Sequence, residues 1–589
     1  MNFKLIIHLF LFLSFCFTPK VFGQGSVLPF GNDAYHIMDR FEIKTGIPTP
    51  YHSSIKYYLR KDVANYAMQV DSLYEDLTFL DVEDLNYIYR DNNEWLNLTE
   101  YPTTLVEPKE GEDTQAKMSR TNRRYFARER PILKYFYRTP ANFYEAYSKH
   151  FHIKINPMID FKIANYAEDT ELIFLNRRGV EIRGGIDDRI FFYSNIIESQ
   201  ARFPNYVNRR INRDLAIPGQ GLYKNYESVV FNITNGVDFL NSESYLGFNL
   251  TSHVGVQLGY GRNKIGEGIR SVLLSDFANN YFNLKINTRV WRFHYQNIFA
   301  ELSPIGTQDN MSNNLLPKKY MAAHFLNFEI TSKMSIGLYE AVIFGRNNIV
   351  ELQYLNPLIL YRTVEQSIDS PDNVLIGVNF KWNLFKKIQL YSQFILDEFK
   401  FDELIIERNG WWANKFGFQG GLKCIDIFGI EHLDAQAEYN SARPYTYTHR
   451  DSSVASYSHF NQPLAHPLGA NFREIILRLR YQPIHKLVFD GRFFLMNYGE
   501  DTDNENWGSN ILTDPRTRSQ DFGNEIGQGV GTNTMILGLD ASYQLFHNFY
   551  LEAHYFYRKM DSDDDDLDST TNYIGGGFRM NIGRTRMDF

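Results

Sequence analysis

Cysteine is almost missing from the 589 residues: Cys16 and Cys424 are the only two. One pair at most is available, so a disulfide framework and cysteine-based zinc sites are excluded. No excess of positive charge is present either. Lys and Arg number 61 against 69 Asp and Glu, a formal net charge of −8, and nothing in that balance suits a nucleic-acid partner. After residue 17 no apolar run approaches the ~20 residues of a membrane helix, and the mean hydropathy is −0.38, so a bundle of membrane helices is excluded. Neither His-Glu-x-x-His nor Gly-x-Ser-x-Gly occurs, and no Ser/His pairing stands out, so the groups a hydrolase needs are absent and no cofactor is expected.

What the chain does have is aromatic residues: 47 Phe, 39 Tyr and 6 Trp, 16% of the total, heavy for a soluble protein. It also has a leader. Lys4, the apolar Leu5–Phe17 and Val21-Phe22-Gly23 read as a secretory signal over 1–23, cleaved before Gln24 and taking Cys16 with it. Cys424 then remains as a small buried apolar group. An exported chain of this length exceeds the ~250–300 residues of one ordinary core. Without membrane helices, it is either several soluble domains or a closed barrel, the other fold that satisfies its backbone in lipid.

Periodicity decides between them. Met535, Leu537, Leu539, Ala541, Tyr543 and Leu545 alternate with Ile536, Gly538, Asp540, Ser542 and Gln544. After a turn at His547-Asn548, Phe549, Leu551, Ala553, Tyr555 and Tyr557 alternate with Tyr550, Glu552, His554, Phe556 and Arg558, and Ile475, Leu477, Leu479 and Tyr481 with Glu474, Ile476, Arg478 and Arg480. A period of two puts each set on one face of a strand. One face is apolar with aromatic ends and the other is charged along its length, as in a transmembrane barrel strand of ~9–11 residues. Connections alternate too. Short ones fall near Ser332-Lys333, Leu384–Lys386, Ile425–Phe428, Gln482–His485 and Phe546–Asn548, and long ones at 304–317, 347–371, 399–412, 442–469, 499–533 and 560–570. That asymmetry matches periplasmic turns and extracellular loops. The expected fold is all-β: a transmembrane antiparallel outer-membrane β-barrel of about 18 strands over 131–589, its aromatic surplus forming two interfacial girdles. Bulky inward groups, Phe494, Met496 and Phe556, predict a filled lumen. Charged ones such as Glu474, Arg478, Arg480, Glu552 and Arg558 predict a network within it.

Residues 24–130 read differently, as a small periplasmic helical element (24–100) and a polar linker (101–130) with a basic patch at Arg120, Arg123, Arg124, Arg128 and Arg130. Val63, Tyr66, Ala67 and Val70 have helical spacing. Asp33–Ile43, closed by Gly46, and Asp81–Tyr89 read as two further helices with Asp33 and Asp81 as N-caps.

Three stretches invite a ligand. Gly259–Gly268 lacks the Lys-Ser/Thr that ends a phosphate loop and places Glu267 where phosphate would sit, so its glycines serve a bend or a close backbone approach. Arg443, Tyr445, Tyr447, His459, Asn461, Gln462 and His466, in a long outer loop, combine rings and amides suited to gripping a sugar. Their histidine spacing suits a metal poorly, and a packed, hydrogen-bonded loop is the plainer reading. Asp561–Asp568 is an acidic outer tip whose oxygens suit a loosely held divalent ion or, more plainly, solvent.

The run Gly261-Arg262 … Gly266-Glu267-Gly268-Ile269-Arg270-Ser271-Val272-Leu273-Leu274-Ser275-Asp276 resembles the Gly-rich, leucine-leucine-serine segment of Wzi-type capsule-assembly outer-membrane proteins. Tyr354–Pro357, Arg443–Tyr447 and His459–Gly469 resemble the RemB-type gliding-motility branch of that family. The resemblance spans about residue 30 to 589. It implies a barrel with a small periplasmic helical element and a structural or binding role for Gly261, Arg262, Gly266, Gly268, Arg270, Ser271, Ser275 and Asp276. It also implies a non-enzymatic role in holding capsular polysaccharide or in surface gliding, and supplies no catalytic residue. The long outer loops and the acidic 561–568 tip depart from the enterobacterial Wzi pattern. Expected partners are outer-membrane lipid, surface polysaccharide, and periplasmic or surface motility components. An outer-membrane transport pore is the rival reading.

Overall fold

The computed structural model describes residues 25–96, 136–137, 139–148, 150–166, 172–187, 189–228, 233–304, 317–345, 349–368, 372–400 and 402–589. The expected signal (1–23) and basic linker lie outside them. Eighteen long strands form one closed antiparallel barrel. They are β1 (Phe151–Tyr166), β2 (Ile173–Ile186), β3 (Ile190–Arg202), β4 (Ile233–Asn249), β5 (Val254–Gly261), β6 (Tyr281–Val290), β7 (Phe293–Leu302), β8 (Lys319–Thr331), β9 (Met334–Phe344), β10 (Asn373–Leu384), β11 (Ile388–Glu398), β12 (Lys415–Cys424), β13 (Leu433–Ala442), β14 (Phe472–Ile484), β15 (Leu487–Glu500), β16 (Val530–Phe546), β17 (Phe549–Ser562) and β18 (Ser569–Met580). The seam closes where β18 pairs with β1, from Ile159 opposite Met580 to Tyr166 opposite Tyr573. Two short strands, Tyr144–Ser148 and Lys224–Ser228, extend the edges of β1 and β4. No helix is long and apolar enough to cross a membrane among the described residues.

The alternation read from the sequence is the alternation of the wall. Leu477, Leu479, Leu539, Tyr543 and Leu551 are exposed outward, while Glu474, Ile476, Ile536 and Glu552 are buried inside. The outward aliphatic band, continued by Ile196, Leu240, Leu338, Ile376 and Leu495, can be covered only by lipid, so the protein is an outer-membrane barrel. At the short-turn rim Trp291, Phe293 and Phe328 stack together, the two phenylalanine rings 4.7 Å apart, and Phe385 and Phe428 stand bare at turn tips. Cys424 is half-buried and free rather than fully enclosed.

Three helices fill the short-turn mouth: α1 (Ala34–Thr45), α2 (Arg60–Leu73) and α3 (Phe79–Asp91). Val63, Tyr66, Ala67 and Val70 are fully buried against Met38, Phe41, Leu85 and Ile88. Gly46 ends α1 at φ 67°, the left-handed C-cap that glycine adopts without penalty. The two expected N-caps need correction. Asp33 sits at the start of α1 but makes no capping bond; its carboxylate takes Arg480 of β14 instead, at 3.1 Å. Thr78 caps α3, with Asp81 three residues on completing a reciprocal capping box. The helices are tied to the barrel by ions: Arg40 to Asp426 at 3.0 Å and to Asp434, Asp62 to Arg289 at 2.6 Å, Asp39 to Lys423 at 2.6 Å, and Glu42 to Lys381.

The lumen is packed from the other rim as well. Residues 262–280 fold inward, so that Ile265, Val272, Leu273 and Leu274 meet Ile298, Phe325, Tyr339, Leu375 and Ile395 of the wall. A helix in the β3–β4 connection, α4 (Asn205–Asp214), brings Tyr206, Val207 and Ile211 against Phe494, Met496 and Phe556. Beyond β18 the chain turns back inside: Arg584 meets Glu552 at 2.9 Å, Arg586 meets Asp490 at 3.0 Å, Asp588 pairs with Arg492, and Phe589 joins the aromatic cluster.

Candidate functional site

The outer-loop constellation lies where loop 443–471 descends into the lumen, and each polar group in it has a protein partner. Arg443 donates to the carbonyls of Asn414 (2.8 Å) and Asn524 (3.1 Å). Tyr445 and Tyr447, both at positive φ (66° and 69°), point their hydroxyls at the carbonyls of Asn506 (2.8 Å) and Val272 (2.7 Å). His459 accepts from the Ser303 N–H at 3.0 Å through Nδ1 and so donates through Nε2 to Asn280 O at 3.1 Å. That arrangement fits the neutral imidazole, which burial favours by pushing its pKa down to about 3. Asn461 donates to Asp214 O at 2.9 Å. Gln462 donates to Ile217 O and accepts from Gly219 N. His466 meets the Glu474 carboxylate at 2.8 Å. Arg443 and Asn461 are half-buried, and the other five are buried. Among the described residues no group of three or more His, Cys, Asp or Glu is arranged to hold a metal ion.

The glycine-rich stretch is the other half of the same assembly. Gly261 ends β5, and Arg262 spans the loop to the Asp276 carbonyl at 3.0 Å. Gly266 holds φ 116°, and a β-carbon there would stand 2.0 Å from Gln393 Nε2; one on Gly268 would press against Glu438 and Gln419. Glycine is required at both for close approach to the wall. Glu267, far from any phosphate role, accepts from Ser53, Ser54 and Lys56 of the inserted N-terminal segment. The N–H groups of Ile269 and Arg270 both donate to Glu438, at 2.7 and 3.0 Å. Ser271 donates to Ile265 O at 2.7 Å, Ser275 to Ala465 O, and Asp276 pairs with Lys264 at 3.2 Å. Glu474 of β14 joins the two stretches, taking Arg270 at 3.2 Å and His466 on its other oxygen. The structure thus brings together residues some two hundred positions apart, as a keystone inside the lumen.

Sequence reasoning missed two features. Beneath the keystone lies a chamber of about 330 Å³ lined by Arg177, Arg262, Arg270, Arg478, Arg492 and Arg586 together with Glu243 and Asp588. Its arginines from the returning tail carry no strand periodicity by which to find them. On the outer rim, Trp412 is flanked by the cations of Arg518 (4.3 Å from the ring centroid) and Lys415 (5.2 Å), with Trp411 beside Lys400. Loops 399–414, 443–457 and 501–529 are laced there, Trp412 N to Asp521 O and Asn524 N to Gly410 O. The acidic tip ties its own oxygens to neighbours, Asp563 to Gly531 N and Asp568 to Ser562 N.

No protein-family model and no curated protein sequence matches the chain. Solved structures do. Wzi of Escherichia coli, described as an outer-membrane protein involved in group 1 capsule assembly and as a carbohydrate-binding β-barrel, superposes with a TM-score of 0.53 at 11% identity, over 94% of this chain and 98% of that one. OprD of Pseudomonas aeruginosa follows at 0.38, 9% identity and coverages of 72% and 94%, and OpdK from the same organism at 0.40, 9%, 73% and 98%. At such identities the likeness to Wzi is one of fold.

Proposed function

We propose that this is a non-enzymatic outer-membrane barrel that holds a surface polysaccharide, or serves the gliding apparatus, through its outer loops and does not pass solutes. One observation carries the reading: the barrel is filled from both rims, by α1–α3 on one side and by residues 262–280, loop 443–471 and the returning tail on the other. Such an interior is built to hold a shape. The surface it holds is the outer cap, where Trp411 and Trp412 stand among Lys400, Lys415 and Arg518, an aromatic and cationic cluster whose side chains would have to trade their present partners for the rings, hydroxyls or carboxylates of a saccharide. The capsule-assembly and carbohydrate-binding description of Wzi supports the polysaccharide version. The RemB-type resemblance supports the motility version, in which periplasmic or surface motility components dock on the same cap or on the helices below.

Glycan-array binding by detergent-solubilised protein tests the reading, with Trp412→Ala and Arg518→Ala compared against the parent. Saccharide binding lost in both variants is the expected result. In cells, deletion of the gene should loosen surface polysaccharide or impair spreading while growth is preserved. No array binding, together with normal polysaccharide retention and normal spreading, would remove both versions.

A further inference from the structure

Three adjoining strands break the outward apolar rule in the middle of the wall. Asn297 on β7, His324 on β8 and Glu340 on β9 lie directly opposite one another in the ladder and face outward, since Ile298, Phe325 and Tyr339 beside them belong to the lumen cluster. All three are nonetheless buried. What covers them is the β9–β10 connection, expected from the sequence to be an outer loop, which instead folds down over the outside of the barrel. Tyr295 Oη and Asn297 Nδ2 both donate to the Pro357 carbonyl, at 2.5 and 3.1 Å. Arg362 N donates to Glu340 at 3.2 Å, and the Tyr361 ring lies 4.0 Å from that of His324. Tyr354, Tyr361 and Val364 pack on Phe299, Val342 and Phe344. Asn297 and Tyr295 are five and seven positions below Leu302, the outer end of β7, so the segment reaches roughly 17–23 Å down the strand. That is well within the depth of a ~25 Å apolar band crossed by tilted strands.

The far side of residues 349–360 is mostly aliphatic, with Gln353 and Asn356 exposed among the leucines, and Arg362, Thr363 and Gln366 are exposed beyond it. Leu352 is 73% and Leu358 82% exposed, and Ile349, Leu355 and Leu360 are bare beside them. The patch runs on into the lipid-facing band through Leu338 of β9 and Ile376 of β10. Irregular backbone at membrane depth is tolerated where protein meets its polar groups, and here protein meets several of them. Pro357 O takes the two wall donors; Asn356 N and Thr363 N close on Gln353 O and Leu360 O; Leu358 N is met by the Asn356 side chain. A short helix, α5 (Tyr361–Ile368), completes the segment and carries an Arg362–Glu365 ion pair of 2.7 Å. We propose that residues 349–368 form an external strap whose partner is outer-leaflet lipid: its leucines lie among acyl chains, and the outward polar row exists to fasten it. The continuity of the patch with the lipid-facing band selects lipid over water or a second protein.

Site-directed spin labelling of the full chain tests this. Leu358→Cys and Leu352→Cys, each in a Cys16→Ser, Cys424→Ser background, are labelled and reconstituted into vesicles of phosphatidylethanolamine and phosphatidylglycerol. Collision rates with oxygen and with a water-soluble nickel chelate are then compared with those of Leu338→Cys on the wall and Asp565→Cys on the acidic tip. Because the substituted leucines are exposed, folding is not at stake. The expected result is an oxygen-to-nickel ratio at both strap sites that matches Leu338→Cys and exceeds Asp565→Cys several-fold. A ratio like that of Asp565→Cys would place the strap in water, and protection from both reagents would mean protein covers it; either overturns the proposal.

Discussion

At Gly266 the φ of 116° and the missing β-carbon are one requirement, since any side chain would collide with Gln393 while the backbone sits where L-residues rarely go. Gly266→Ala should cost about 1–3 kcal/mol, read as a lower unfolding temperature by circular dichroism in detergent. A melt unchanged from the parent would mean that the loop does not press on the wall. Titration offers a second test at this scale. Burial pushes His36 of α1 down to about 4 despite Asp434 at 2.9 Å. Between that value and about 6.5 the unfolded chain holds more protons on this residue than the folded one, so stability rises with pH across the window and is lost on acidification. The loss on going from pH 7 to 4 amounts to up to about 3 kcal/mol from this group. Burial alone would raise Asp39 beside it, but Lys423 and Lys56 outweigh that and hold it at about 2, so its contribution persists through the same range. His36→Gln should therefore flatten the pH dependence of the melt between 4 and 6.5, and an unchanged slope would contradict the assignment. The sequence singles out Tyr445, Tyr447, His459, Gln462 and His466 and reads their loop most plainly as packed and hydrogen-bonded, yet it does not show that they pack down into the lumen. Chemical type is visible residue by residue, whereas a loop that leaves the strand period gives no sign of which way its side chains face.

The elements were legible to the degree that they obey a period. β14, β16 and β17 alternate so regularly that both faces could be assigned, and α2 follows the helical spacing from Val63 to Val70. The Asp81 side chain was rightly placed at a helix start but in the wrong role, because a capping box needs both members and Thr78 is the residue that caps. The returning tail gave no such signal, since residues 581–589 are an extended plug held by side chains from β14, β15, β16 and β17. Arg584 and Arg586 bring charge to Glu552, Asp490 and Asp540. Removing one partner of a buried ionic pair strands the other, at a cost of about 3–5 kcal/mol. The double variant Arg584→Ala, Arg586→Ala should melt earlier than the parent and, with the tail released, admit ions in planar bilayers. A variant as stable and as tight as the parent would show that the tail is not a structural plug.

For the molecule as a whole, the strand count and the asymmetric rims followed from loop spacing and two-faced strands, and the N-terminal helices from the helical spacing of Val63, Tyr66, Ala67 and Val70. The filling of the interior followed only in outline, from Phe494, Met496 and Phe556. What remained hidden was tertiary: loops that turn inward, one that lies along the outer wall, and a polar keystone shared by Glu474, Arg270 and His466. Together they fill the cylinder from both rims, and the proposed non-transport role rests on that filling. Conductance of the purified wild-type protein in planar lipid bilayers tests that most directly. The proposed role predicts a baseline current with no long-lived open steps, and stable, porin-sized steps from the intact protein would contradict it.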